Sequence, residues 1–153
     1  MTEPVATGGV SAGAPGELAS YGERFLAFLI DVGVLIGIGI VLGLVGFVAG
    51  KIAGILSVLV TLCNIVVNIG YFIYLWGVDN PITGRGQTIG KKVMNIKIIK
   101  EDGSDIDVGG AVLRYLGYIV SEVVILLGFI WIFIDDRNQG WHDKIAKTLV
   151  VKS

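Results

Sequence analysis

The chain has 153 residues, room for one domain, with 54% hydrophobic and 16% charged residues and a mean hydropathy of +0.79. These values lie outside the soluble range. A net charge of -1 says little, because lipid would separate the charges into groups counted side by side, and the single cysteine, Cys63, excludes an intrachain disulfide.

Residues 1–21 are rich in Gly, Ala, Ser and Pro and lack the basic start and apolar run of a signal peptide. They are expected to form a disordered cytoplasmic tail, with the folded part over 22–153. Phe25 to Gly50 then carries one charge, Asp31, and Ile52 to Gly77 carries none. A hydrocarbon core of ~30 Å needs about 20 apolar residues as helix, so segments at about 25–50 and 52–77 predict an antiparallel transmembrane hairpin turning near Lys51. Asp31 falls near the middle of the first span. An ionised carboxylate there costs roughly 2.5–3.5 kcal/mol on insertion scales, which marks it as a functional-site candidate. Arg24 shares its face but stands ~10 Å away along the axis.

Three pairs of glycines, Gly33/Gly37, Gly39/Gly43 and Gly46/Gly50, suit close helix packing in a membrane. In the second helix, Ser57, Thr61, Asn64 and Asn68 form one polar stripe that continues to Tyr71. The stripe is expected to face protein, either as interhelical glue or as the lining for a small permeant. Asn64 and Asn68 are the expected partners of Asp31.

Between residues 78 and 110 the chain is polar and basic. Asp102-Gly103 between β-prone runs predicts a hairpin with strands near Val93–Lys100 and Ser104–Val108, and "KTLVVK" is the other plausible strand. "GRGQTIGKK" lacks the spacing of a phosphate-binding loop and reads as a basic turn near anionic headgroups. A third apolar segment, 115–134, carries Glu122 near its centre, with Tyr115 and Tyr118 on the same face. His142-Asp143 reads as an interfacial polar cluster beside Trp141. A lone histidine rarely holds a metal, and no nucleophile–base–orienter set is visible. No enzyme activity, cofactor, metal or nucleic-acid partner is expected.

Six of the 12 basic residues lie between 78 and 114 and four follow 134. The positive-inside rule puts the six-charge loop, and hence the N-terminus, in the cytoplasm. A third complete crossing would leave 7 basic residues inside and 5 outside, whereas a re-entrant segment broken near Val124–Gly128 would leave 11 and 1. The count favours re-entry and a cytoplasmic C-terminus, packed with the 93–108 hairpin and tied by an Asp143–Arg24 ion pair.

With "RFLAFLID" at 24–31, "GQTIGKKVMNIKIIKEDG" at 86–103, "LRYLGYIVS" at 113–121 and "GFIWIFIDDRNQGWHDKIAKTLVV" at 128–151, the chain resembles the RDD (Arg-Asp-Asp) family of small bacterial membrane proteins. The resemblance runs from Arg24 to the end of the chain, and the residues that give the family its name fall on Arg24, Asp31 and Asp143. It departs at Lys147, where a glycine commonly precedes the threonine, and Glu122 is not part of the pattern. The resemblance implies a multi-pass protein of the bacterial inner membrane. Transport, including cation/proton exchange, has been suggested for some members, while related domains occur as accessory parts of larger assemblies.

The fold expected is therefore an α-helical membrane protein: a transmembrane hairpin, a third apolar segment and a small cytoplasmic β-hairpin. Transport is the first reading, with an accessory or scaffold role as its alternative. In the first, Asp31 and Glu122 bind a proton or small cation during transport, which with three apolar segments requires an oligomer. In the other, the chain is a non-catalytic accessory or scaffold subunit, binding another membrane protein through its glycine faces and polar stripe.

Overall fold

A computed structural model describes residues 15–52, 54–123 and 131–153, with the side chains at 52, 122 and 123 outside that description. The proposed break at Val124–Gly128, most of the N-terminal tail and the Glu122 carboxylate thus lie outside the described residues. Two long helices dominate: α1 (Tyr21–Ile52) and α2 (Gly54–Gly77). Their apolar side chains point outward, with only 11% and 0% of the most apolar windows buried, so neither is the core helix of a soluble protein. Both are long and apolar enough to cross a membrane.

A compact cap closes the end of the hairpin where α1 begins and α2 finishes. It consists of α3 (Ile89–Val93), β1 (Ile96–Lys100), α4 (Val108–Val123), a 3-10 turn at Trp131–Phe133, α5 (Trp141–Ile145) and β2 (Thr148–Lys152). Trp76, Ile96, Ile98, Ile106, Ala111 and Val150 bury one core beneath Phe72 and Tyr118. The third apolar segment starts and finishes at this same end of the hairpin. Gly77 packs so closely on Val108 that a Cβ would lie 2.7 Å from its Cα, and Phe133 meets Tyr21 with ring centroids 5.2 Å apart.

β1 does not form a hairpin across Asp102-Gly103. It pairs antiparallel with β2, with Ile98 opposite Val150, and the expected second strand is reduced to one bridge between Ile99 and Asp105. The reason is local: Asp107 Oδ1 accepts from Gly110 N at 2.7 Å and starts α4, while Ile106 is drawn into the core. The outer edge of β2 is covered by residues expected to be disordered. Ala19 N donates to Val150 O and Lys152 N to Glu17 O, both at 2.9 Å, and Leu18 packs on the outer sheet cluster.

Residues 86–100 and 138–152 repeat one backbone at an offset of 52, as from 88 to 140. Thr88 and Gly140 open α3 and α5 with φ/ψ of -79°/171° and -79°/173°, and Met94 and Ala146 close them at -87°/3° and -86°/-2°. Asn95 and Lys147 follow at φ 52° and 51°, and Gly86 and Asn138 precede at φ 79° and 53°. The Gln87 and Gln139 amides donate to the carbonyls of Ile96 and Thr148 at 3.0 and 2.9 Å. The long helices repeat as well: Arg24, Ala27 and Asp31 on α1 take the places of Arg114, Gly117 and Ser121 on α4. Thus α1–α3–β1 and α4–α5–β2 are two units related by a local two-fold, whose axis passes between Ile98 and Val150.

Candidate functional site

Asp31 is 1% exposed and fully engaged. Its Oδ1 accepts from Tyr71 Oη at 2.7 Å and Gly90 N at 2.8 Å, and its Oδ2 accepts from Thr88 Oγ1 at 2.6 Å. Tyr71 Oη in turn accepts from Ile89 N at 3.3 Å. One α1 carboxylate and one α2 phenol thereby satisfy the first amides of α3 and its capping threonine. The close approach depends on Gly90, where a Cβ would overlap the Ala27 carbonyl. The expected partners are engaged elsewhere. Asn68 Nδ2 donates to the Asn64 carbonyl and side-chain oxygens at 2.9 and 2.8 Å, because the four-residue spacing brings the two amides together on one helix.

Asp143, 0% exposed, joins the two units. Arg24 Nη2 from α1 donates to Asp143 Oδ2 at 2.5 Å, Arg114 from α4 pairs with Oδ1, and Gly140 N donates to Oδ2 at 2.9 Å. Arg24 Nη1 also donates to the Asn138 carbonyl, and Arg114 Nη1 to Thr148 Oγ1 at 2.5 Å. Burial alone would raise the Asp143 carboxyl, but the Arg114 and Arg24 guanidiniums hold it well below the usual carboxylate range. His142, also buried, stacks on Tyr118 with centroids 4.2 Å apart, and burial pushes its imidazole well below the usual value despite the neighbouring Asp143. The histidine–aspartate pair is therefore an interior feature of the cap, behind Trp141.

The glycine-rich basic turn is likewise folded inward. Thr88, Gly90 and Lys91 are buried, and only Arg85 and Lys92 of its basic residues remain exposed. The Lys91 ammonium stands 5.7 Å from the Trp76 ring centroid, and the Arg114 Cζ is 5.3 Å from the same centroid. Burial lowers the Lys91 ammonium to about 8, with Arg114 adding to the shift and Asp31 opposing it.

Higher in the hairpin, the polar stripe faces α1. Ser57, Thr61 and Asn64 line a groove of about 420 Å³ with Gly43, Gly46 and Phe47. Ser57 and Thr61 return their hydroxyls to the carbonyls of Gly54 and Ser57 at 2.7 and 2.9 Å. From Asp31 to Lys51, α1 rises ~30 Å at 1.5 Å per residue, about one hydrocarbon thickness. Asp31 therefore stands about that distance from the turn, level with the cap.

The sequence named Arg24, Asp31 and Asp143; Tyr71, Thr88, Gly90, Lys91, Arg114 and Thr148 join them only in three dimensions. A signal for some of these existed in the recurrence of Gln with Lys five residues later, at 87/92 and 139/144. The polar stripe rises above them along α2 from Tyr71. Among the described residues, no group of three or more His, Cys, Asp and Glu could hold a metal ion.

The family model described as the RDD family matches residues 18–147. The chain is 33% identical over 152 residues to "Uncharacterized protein YxaI" of Bacillus subtilis, covering 87% of this chain and 96% of that protein. It is 35% identical over 80 residues to the "Proline-rich antigen" of Mycobacterium leprae, covering 52% of this chain and 31% of that protein. It is 29% identical over 100 residues to "Uncharacterized protein RP437" of Rickettsia prowazekii, covering 63% of this chain and 51% of that protein. No solved structure matches significantly.

Proposed function

The chain belongs to the RDD family, and from that premise we propose that this small membrane protein serves as a non-catalytic accessory or scaffold subunit of the bacterial inner membrane. The observation that carries this reading is the complete engagement of Asp31: three donors from α2, α3 and its cap meet its two oxygens. All three partners donate, so the acid fastens α3 to the hairpin. A cation would have to displace those donors, and a proton would forfeit an acceptor position. The outward apolar faces of α1 and α2, with Gly33 and Gly37, are then the surfaces offered to lipid, to a second copy or to another membrane protein, whereas Gly39, Gly46 and Gly50 pack against α2. The basic residues of the cap support a cytoplasmic location for it and for both termini.

Transport of a proton or small cation is the second reading. It is favoured by the stripe that runs from the groove at Ser57 and Thr61 through Asn64 and Asn68 to Tyr71, and so to Asp31. Glu122 remains its candidate for a second site.

Sodium and proton flux in proteoliposomes separates the two. The scaffold reading expects no flux above empty liposomes, and a lower unfolding midpoint for Asp31→Asn. Flux that Asp31→Asn abolishes while the protein stays folded would replace it with transport. Orientation is checked with a cysteine at Ser153 in a Cys63→Ala background. An impermeant thiol reagent should leave it unlabelled in intact cells.

A further inference from the structure

We propose that the base of the hairpin holds an oxyanion, a carboxylate or phosphate group, bound by Arg114, Lys91 and Trp76. Arg114 uses Nη1 for Asp143 and Thr148 and has the Tyr118 hydroxyl as a further neighbour, but no acceptor among the described residues meets its Nε or Nη2 in full hydrogen-bond geometry, and none meets Trp76 Nε1. Arg114 and Trp76 are both 0% exposed, and Lys91 is 6% exposed. No hydrogen bond or ion pair engages the Lys91 ammonium among the described residues; its contact is with the face of Trp76. A buried group that can only donate is costly when left unmatched. Arg114 and Trp76 can only donate, which calls for an acceptor, and the Nε–Nη2 edge of a guanidinium is the fork that fits two oxygens of one carboxylate or phosphate.

The charges agree. Among the described residues, Arg24, Arg114 and Lys91 meet Asp31 and Asp143 in this interior, three positive groups against two negative ones. A trapped water would satisfy a donor or two but leave that imbalance uncompensated.

The two-fold relation supplies an independent reason. It exchanges Arg24 with Arg114 and Asp143 with Lys91. Arg24 reaches across to a carboxylate of the other unit, at Asp143. The matching partner for Arg114 would come from position 91, where a lysine stands in place of an acid. An external oxyanion would complete the second pair. The site lies where the apolar hairpin gives way to the polar cap, within reach of two sources: lipid phosphate and dissolved phosphate.

The test uses the full chain, delipidated in neutral detergent, with thermal unfolding followed as sodium phosphate replaces sodium chloride at constant ionic strength. A parallel arm compares nanodiscs of phosphatidylglycerol with nanodiscs of phosphatidylcholine. The wild type should gain several degrees in unfolding midpoint, saturably, with phosphate, with phosphatidylglycerol or with both. A response confined to nanodiscs assigns the lipid as the source, and one confined to detergent assigns the dissolved ion. Lys91→Gln should lose the response. Lys91→Asp, which supplies Arg114 with an internal carboxylate, should lose it too, while starting from a higher midpoint than wild type without phosphate. Should one variant fail to fold, the other decides. A wild type indifferent to both probes, or an equal response in the folded variant, would overturn the site.

Discussion

In the first unit the long helix presents Ala27 and Asp31 to a short helix carrying Gly90; in the second it presents Gly117 and Ser121 to one carrying His142. Each contact is as close as backbone permits, and each contains one glycine, but on opposite sides. A Cβ at Gly90 would overlap the Ala27 carbonyl, whereas one at Gly117 would lie 2.7 Å from the His142 Cα. The carboxylates are exchanged in the same manner. The first unit carries its acid on the long helix, and Asp31 bonds within its own hairpin and α3. The second carries its acid on the short helix, and Asp143 reaches out to both long helices. Asp31 therefore holds one unit together, and Asp143 holds the two units to each other.

Breaking the inter-unit link should have the largest effect. Asp143→Ala would leave two guanidiniums facing each other in the interior and cost about 3–5 kcal/mol, as removal of one partner from a buried ion pair does. Chemical denaturation of the purified protein measures it. The acid limb follows from the depressed folded-state value of Asp143. Its stabilisation is fully present above the unfolded carboxylate value and is lost as pH falls below about 4 toward the folded one. Asp143→Asn should flatten that part of the pH–stability curve.

The contacts between long and short helices come next. Gly90→Ala should cost about 2–3 kcal/mol by overpacking, and Gly117→Ala should cost less, because its Cβ would lie 2.7 Å from its nearest neighbour, whereas one at Gly90 would overlap the Ala27 carbonyl. Equal losses would contradict the unequal spacing. The anchors sharpen the contrast: Asp31→Asn should cost about 1.5–3 kcal/mol as charge-assisted bonds are lost. Ser121→Ala should cost about 1 kcal/mol or less, since Ser121 Oγ only returns to the Gly117 carbonyl of its own helix. Smallest, and of opposite sign, is the turn after α5. Lys147 sits at φ 51°, where a side chain is unfavourable, so Lys147→Gly should stabilise by about 0.5–1 kcal/mol. Asn95→Gly, at the matching position, should gain less, because asparagine tolerates that region.

That turn also accounts for the departure from the family pattern at Lys147: the position requires left-handed backbone, which glycine adopts most readily. The long helices were legible in the sequence because length and apolarity suffice to define them, and Arg24, Asp31 and Asp143 through the family motifs. The partners of Asp31 were not. Polar spacing along α2 pointed to Asn64 and Asn68, but two amides four residues apart bond to each other before reaching a neighbour. The partner of β1 was hidden for a similar reason: Asp102-Gly103 does make a turn, yet Asp107 opens a helix where the second strand would run. The repeat was obscured because few positions fix its backbone. Between 87–100 and 139–152, Gln, Lys and Lys recur at 87/139, 92/144 and 100/152, while Ile98 and Ile99 become Val150 and Val151.

The unequal lengths of the two long helices set how this molecule fits its solvent. The membrane-length stretch of α1, Tyr21–Lys51, has 31 residues and that of α2 has 24, about 46 and 36 Å of helix against a hydrocarbon slab of ~30 Å. Tilting alone would need about 34° for α2, within the usual range, but about 50° for α1, beyond it. Packed side by side, the two would share one inclination in a bilayer, and the surplus of α1 would emerge from the slab. The emerging turns carry Phe25, Leu26, Phe28 and Leu29, exposed by 42–59%, beside Phe133 and Ile134 of the cap. In a bilayer this apolar collar lies among the headgroups. There it can sink when the membrane thickens and rise when it thins, so mismatch is absorbed by depth of immersion without bending the hairpin.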